Sequence, residues 1–334
     1  MTTFAILGDG GWGTAIALLL AARDEHNVWL WSAREDYGRV LAQRRENVNF
    51  LPGLAIPPRV RLTWQIDEIV AQRPDLYIVA IPTIYLRPTI ARIAPAWSRA
   101  PAPLVSLTKG LERETFRRPT EILAEILQTD QLAVLSGPSH AEEVARGLPT
   151  VVVVASQHPE IPRLVQEHFR TESFRLYTSL DPIGVELGGA LKNVIGIAAG
   201  VCIGLGLGDN ALSALITRGL VEMTRFAVAL GADAGTFAGL AGLGDLITTC
   251  VSPHGRNRAV GMRLAAGETM AQILAGMNAI AEGVTTAQSV RELAGRMGIE
   301  MPIATEVYRI LYENKDARTA VTDLMLRRPK EERW

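Results

Sequence analysis

Cysteine is almost missing from these 334 residues: there are two, Cys202 and Cys250. Two thiols cannot build a disulfide framework, which excludes a disulfide-stapled secreted class and fits a reducing compartment. A cationic excess is missing too. Lys plus Arg is 34 against 35 Asp plus Glu, a formal charge of −1, which argues against a dedicated nucleic-acid or acidic-membrane surface. Aromatics are only 6%. The five histidines (His26, His140, His158, His168 and His254) lack metal-ligand spacing, so no metal is expected. Long apolar runs are also scarce. The longest, Val194–Gly208, has fifteen residues with five Gly among them; it is too short to cross a bilayer and reads as a buried helix and turn. Met1-Thr-Thr runs straight into Phe4-Ala-Ile-Leu7 without the basic region of an export signal, so a cytoplasmic protein without membrane insertion is expected.

What is present is apolar material and glycine. The AVILMFWYC set makes up 48% of the chain and Gly contributes 30 residues, enough for a sizeable core and for close backbone packing. The length exceeds what one core usually organises, so two domains are expected. In the first half, short apolar runs (Phe4–Leu7, Val28–Trp31, Leu76–Ile81, Leu104–Leu107, Leu132–Leu135, Val151–Ala155) alternate with helical stretches. That alternation predicts a mostly parallel sheet with helices on both faces. One more helix and strand, 159–169 and 174–178, close the region. From Gly184 onward only helical stretches punctuated by Gly follow. The fold class is therefore α/β: an N-terminal Rossmann-type domain over 1–181, then an all-helical domain over 182–334.

Gly8-Asp-Gly-Gly-Trp-Gly13 follows the first strand and opens a helix. In G-x-G-x-x-G, Gly8 makes the tight turn, Gly10 lets backbone approach a pyrophosphate, and Gly13 packs helix on strand. The next strand ends Trp29-Leu-Trp31 with no carboxylate, and Arg34 follows. An acid there binds a ribose 2′-hydroxyl, whereas an Arg accommodates a 2′-phosphate; NADP is favoured, with NAD accepted. Ser106-Leu-Thr-Lys-Gly110 and Ser136-Gly-Pro-Ser-His-Ala-Glu-Glu143 fall at ends of expected strands, where ligands of open parallel sheets bind. Lys109 there suits an anionic substrate, although Gly137-Pro-Ser139 equally suits a plain helix start.

In the second half, Glu186-Leu-Gly-Gly-Ala-Leu-Lys-Asn193 places two adjacent Gly inside a helix, each costing roughly 1 kcal/mol relative to Ala. Another helix or a flat ligand must pack closely there. Lys192, at the head of an apolar helix, is a candidate proton donor or acceptor, or else a lysine reaching back to water. Asp245 and Thr249 are four residues apart and share a helix face. Gly255-Arg256-Asn257 at a helix start makes a plausible phosphate site, with Arg forks and helix amides converging; a solvated basic turn is the simpler alternative.

The ordered set resembles the NAD(P)-dependent glycerol-3-phosphate dehydrogenases of bacteria. It comprises the Gly8–Thr14 loop, Lys109-Gly-Leu-Glu112, Gly137-Pro-Ser139, Leu191-Lys-Asn193, Gly244-Asp245 with Gly255-Arg-Asn-Arg258, and Ala281-Glu-Gly-Val284. The resemblance implies interconversion of dihydroxyacetone phosphate and sn-glycerol 3-phosphate for phospholipid synthesis, in a homodimer. It makes Lys192 the proton acceptor and gives Lys109 to both substrate and cofactor. Gly137, Ser139, Asn193, Asp245, Gly255, Arg256 and Asn257 go to the substrate, Arg256 also lying near the cofactor. Thr249 matches a substrate-site threonine of the eukaryotic branch. Gly11, Trp12, Arg34, Ala141 and Glu282 match cofactor contacts. Three positions depart from the family: Gly11 and Gly255 stand where Ser is usual, and His140 where Phe is usual.

Other dehydrogenase classes fit less well. No Tyr has a Lys four residues on, as short-chain dehydrogenases require, and neither Cys lies in the Gly- and Pro-flanked loop of UDP-sugar dehydrogenases. The 6-phosphogluconate and hydroxyisobutyrate dehydrogenases share the two-domain plan and are the alternative enzymes. A cofactor-binding sensor without turnover is the alternative outside enzymes.

Overall fold

The computed structural model describes residues 1–277, 281–329 and 331–332. The chain divides into two compact units, Met1–Lys109 with Arg118–Val185, and Gly110–Arg117 with Glu186–Trp334. The short segment 110–117 thus leaves the first unit and packs within the second, an excursion that a single crossing near residue 181 does not contain.

In the first unit the strands are β1 (Thr2–Leu7), β2 (His26–Trp31), β3 (Glu46–Asn47), β4 (Leu51–Ala55), β5 (Val60–Thr63), β6 (Leu76–Val79), β7 (Leu104–Ser106), β8 (Leu132–Ser136), β9 (Thr150–Ala155) and β10 (Phe174–Ser179). Eight of them form one sheet in the order β10-β9-β8-β7-β6-β1-β2-β5, and β3 and β4 make a separate hairpin. All pairings in the large sheet are parallel except β8 with β9. The hairpin and the edge strand β5 have no counterpart in the sequence expectation, because Val60-Arg-Leu-Thr63 is a short edge strand with only one face to bury.

Helices α1 (Gly11–Ala21), α2 (Glu35–Arg44), α3 (Ile66–Val70), α4 (Thr83–Trp97), α5 (Pro119–Leu127), α6 (Ala141–Ala145) and α7 (Glu160–Phe169) connect these strands. Along β1, Phe4 and Ile6 join one apolar cluster, with α1 and α7 residues. Ala5 and Leu7 join the other, with α4 and α5 residues. All four are fully buried, so the central strand reads as an unbroken apolar run because both its faces are covered. The chain runs outward from β1 to β2 on one side and resumes at β6 on the other. This reversal is a topological switch point, the place where such sheets bind ligands.

The second unit is helical, and among the described residues no strand follows β10. Its helices are α8 (Pro182–Gly204, whose first residues belong to the first unit), α9 (Asp209–Ala229), α10 (Asp245–Val251), α11 (Arg256–Ala265), α12 (Met270–Ala275), α13 (Glu282–Met297), α14 (Pro302–Tyr312) and α15 (Ala317–Met325). The apolar run expected to be too short for a bilayer starts inside the 23-residue α8 and continues past its end at Gly204; α8 itself has the length and composition to cross one. Its burial distinguishes it: 83% of its most apolar window is buried within the fold, as in a core helix. Glycine explains how α8 is surrounded. A Cβ at Gly188 would stand 2.4 Å from the Ala241 carbonyl oxygen, and one at Gly200 would stand 2.0 Å from that of Arg258. Neighbouring backbone therefore lies directly on α8, and the close packing inferred from Gly188 comes from protein.

Glu222 on α9 is almost fully buried and accepts from the backbone N–H groups of Ile303 (2.8 Å) and Ala304 (3.3 Å) at the start of α14. Burial pushes its carboxyl from the ordinary 4.5 up to about 7, while those two amides and the Arg225 and Arg327 charges pull the other way.

Candidate active site

The glycine loop of the first unit lies at the switch point. Gly8 has φ +121°, and a Cβ on it would stand 2.5 Å from the Ala80 carbonyl oxygen just past β6. Gly13 presses α1 onto the turn: its Cβ would lie 2.0 Å from the Gly8 oxygen. Gly10, the residue capping α1, has nothing within 4 Å of its missing Cβ. The backbone at Gly10 therefore has open space beside it, which an approaching pyrophosphate requires. Trp12 Nε1 is a buried donor with no hydrogen-bond partner among the described residues.

The loop is braced from behind by Asn47, which is fully buried. Its amide donates to the Asp9 carbonyl (2.8 Å) and to Thr14 Oγ1 (2.7 Å), and its oxygen accepts from the Tyr37 hydroxyl (2.6 Å). Asp9 Oδ2 accepts from Ser32 Oγ at 2.6 Å, immediately after β2. Burial raises the Asp9 carboxyl above its usual range; the Ser32 hydrogen bond and the Arg34 charge pull it down, and Asp36 pushes it up. Arg34 itself is exposed, with its guanidinium 5.3 Å above the Tyr37 ring.

At the ends of β7 and β8, Lys109 Nζ donates to the Gly137 carbonyl oxygen at 3.2 Å, and Ser139 Oγ donates to the same oxygen at 2.8 Å. The fold thus gathers Lys109, Gly137 and Ser139. Ala141 opens α6, and its Cβ lies 3.7 Å from where a Gly11 Cβ would be.

In the second unit, Lys192 on α8 and Asp245 at the first turn of α10 form an ion pair, with Nζ donating to Oδ1. Lys192 is 7% exposed and Asp245 1%. A π-helical turn, Leu240–Gly244, immediately precedes Asp245. Such turns re-aim the residues that follow them and recur at functional sites. Its residues Ala241 and Gly242 are the backbone seated on Gly188, so the glycine in α8 is what lets Asp245 reach Lys192. Cys250, fully buried, has its thiol pushed up to about 12 by burial, against the pull of the Lys192 charge. It is no thiolate nucleophile at neutral pH.

Asn193 and Asn257 are also joined. Asn257 Nδ2 donates to Asn193 Oδ1 (2.9 Å), and Asn257 Oδ1 accepts from the Gly283 N–H (3.0 Å) beside Glu282 at the start of α13. Thr249 is buried, its methyl facing the bare Gly196: a Cβ at Gly196 would stand 2.7 Å from Thr249 Cγ2. Gly255 precedes α11, and a Cβ on it would lie 3.2 Å from the Thr249 carbonyl oxygen. Arg256, the first residue of α11, is exposed.

Comparison with known proteins decides what this arrangement belongs to. Residues 3–161 match the family model described as the N-terminus of NAD-dependent glycerol-3-phosphate dehydrogenase, and residues 181–322 match the corresponding C-terminus. The chain belongs to the NAD-dependent glycerol-3-phosphate dehydrogenase family. Curated relatives named glycerol-3-phosphate dehydrogenase [NAD(P)+] include those of Chlorobium phaeobacteroides strain BS1, 45% identical, and Geobacter sulfurreducens, 46% identical. Each alignment covers 98% of both chains. The crystal structure of glycerol-3-phosphate dehydrogenase from Coxiella burnetii superposes with a TM-score of 0.92 at 36% identity, covering 98% of this chain and 99% of that one. As a family member the chain is an NAD(P)-dependent oxidoreductase acting on glycerol 3-phosphate, the enzyme its motifs implied.

The residues fit a dinucleotide. The glycine cradle is open at Gly10, and Trp12 holds an unused buried donor beside it. Gly11 departs from the family serine for a local reason: a Cβ there would stand 2.6 Å from the Phe50 carbonyl oxygen in the turn between β3 and β4. That turn lies closer to α1 than a serine permits. Asp9, Ser32 and Asn47 were not singled out from the sequence. Asp9 fills an unrestricted position of G-x-G-x-x-G, and Asn47 sits in no motif; only the tertiary fold brings Ser32 and Asn47 to the loop.

Proposed function

We propose that the chain reduces dihydroxyacetone phosphate to sn-glycerol 3-phosphate, and runs the reverse, with Lys192 as the proton carrier. The observation that carries this reading is the buried pair between Lys192, midway along α8, and Asp245. A bound nicotinamide supplies or takes up the hydride at the carbonyl carbon. In the reductive direction the Lys192 ammonium gives its proton to the developing alkoxide, and Asp245 holds the amine in position. Arg256, with the N–H groups that begin α11 at Gly255, clamps the substrate phosphate. Asn257 has one amide hydrogen left for that phosphate, since the other serves Asn193. Asn193, Thr249, Lys109, Gly137 and Ser139 are also assigned to the substrate. No step calls on a metal.

The dinucleotide is assigned to Gly8, Gly10, Gly11, Trp12, Gly13, Arg34 and Ala141, with Lys109, Arg256 and Glu282. Residues 1–181 serve as the dinucleotide-binding domain and 182–334 as the substrate-binding and catalytic one. NADP is favoured because Arg34 directly follows the turn after β2. The family resemblance supports a cytoplasmic homodimer that feeds phospholipid synthesis. The test is oxidation of NADPH and NADH by dihydroxyacetone phosphate, with wild type and Lys192→Ala. The variant is expected to lose about 10²- to 10⁴-fold in kcat with unchanged cofactor affinity. Normal turnover in it would remove Lys192 from the chemistry, and a wild type inert with both cofactors would overturn the function.

A further inference from the structure

We propose that Asp9 is a specificity-determining residue that sets a carboxylate against Arg34 where the ribose 2′ position is read. This deepens the cofactor reading above and rests on it. In dinucleotide folds the end of the second strand selects the cofactor: a carboxylate there accepts from a free 2′-hydroxyl, and an arginine attracts a 2′-phosphate. By sequence this chain has no carboxylate at that place, since β2 ends in Trp31 and Ser32-Ala33-Arg34 follows. The fold supplies one from another segment. Asp9, in the turn after β1, reaches Ser32 at 2.6 Å, so its carboxylate stands at the end of β2 although it lies 23 residues earlier. Ser32 Oγ in turn accepts from the Arg34 backbone N–H at 3.3 Å, which ties the same turn to Arg34.

The position of Asp9 is built. Its own carbonyl is held by Asn47 at 2.8 Å, and Asn47 is held in turn by Tyr37, over whose ring the Arg34 guanidinium lies. The two opposed charges therefore share one support. The Arg34 charge acts on the Asp9 carboxyl by pulling it down, against the larger upward push of burial. An incoming 2′-phosphate meets attraction from Arg34 and repulsion from Asp9; a free 2′-hydroxyl meets an acceptor. The expected result is an enzyme that takes both cofactors with a modest preference, where Arg34 alone would make a strict NADP site.

The probes are 2′,5′-ADP and 5′-ADP, titrated calorimetrically into the full-length protein, so the readout is independent of turnover. Wild type is expected to bind the two within about tenfold of each other. Asp9→Asn and Asp9→Ala are both expected to shift the ratio of affinities toward 2′,5′-ADP by about tenfold. Ser32→Ala, which keeps the carboxylate, is expected to move that ratio by less than about threefold. An equal loss of both probes in the Asp9 variants, or an unchanged ratio, overturns the proposal by making Asp9 a loop brace only. If neither variant folds, wild type still decides: a preference above about a hundredfold for 2′,5′-ADP refutes the balancing role. Reduction of dihydroxyacetone phosphate by the wild type with each cofactor is measured alongside. A wild type that binds both probes but turns over neither cofactor sinks the enzymatic reading and leaves the Asp9 result standing.

Discussion

Replacing Asp245 by Asn probes how the catalytic half is assembled. Lys192 and Asp245 are 7% and 1% exposed and form an ion pair inside the second unit. Water screens little at such a site, so the two charges interact strongly. Asn keeps the shape of the carboxylate and removes the charge paired with the ammonium. Breaking a buried pair from one side costs about 3–5 kcal/mol, whereas replacing both members with apolar groups of similar volume is often close to neutral. Asp245→Asn, Asp245→Leu and Lys192→Met should therefore each destabilise by about that amount, and Lys192→Met/Asp245→Leu by much less than the sum of its two single variants. Urea unfolding, followed by circular dichroism and tryptophan fluorescence, measures the cycle from midpoint and slope. A cost for Asp245→Asn below about 0.5 kcal/mol, the level of an ordinary surface substitution, would refute the reasoning. It would mean that water or another anion reaches the lysine.

Two further outcomes follow from the same geometry. Arg256→Ala should raise the KM for dihydroxyacetone phosphate by about 10- to 100-fold, the worth of a charged hydrogen bond to phosphate, with a smaller effect on kcat; an unchanged KM takes Arg256 out of the phosphate site. Glu222 carries a pH signature. Its folded carboxyl titrates at about 7 against an ordinary 4.5, so the folded state holds that proton more tightly. Stability is then lost as pH rises from about 4.5 to about 7, by about 3 kcal/mol in all. Glu222→Gln keeps an acceptor for the α14 amides without the charge. Its melting temperature should fall less across that range and exceed wild type above it. Parallel curves for the two proteins would count against the assignment.

Much of the fold was readable because its signals are local. An apolar run such as Phe4–Leu7 must be a strand with two covered faces, and a glycine-spaced turn after it must bend the chain into a helix. The parts that were not readable depend on partners far along the chain. Edge strand β5 offers too few buried residues to stand out, and the β3–β4 hairpin has no periodicity. The stretch 238–249 is not one continuous helix: a 3₁₀ segment ends at Ala238, a π turn spans Leu240–Gly244, and α10 begins at Asp245. The π turn carries two Gly in five residues, and its backbone packs on Gly188.

The sequence by itself determined that this chain has a dinucleotide loop on a parallel sheet, a helical second half, and a lysine in an apolar helix, although that helix begins ten residues before Lys192 and not at it. Those properties are written in neighbouring residues, where periodicity, turn chemistry and the absence of a Cβ act within a few positions. Only the tertiary structure decided that Lys192 meets Asp245, that Asn257 spends its carbonyl on the start of α13, and that Asp9 supplies the carboxylate missing from the end of β2. Each is a contact between residues more than twenty positions apart. Such contacts depend on which backbones can approach closely, and bare glycines on α8 and in the loop are what permit it.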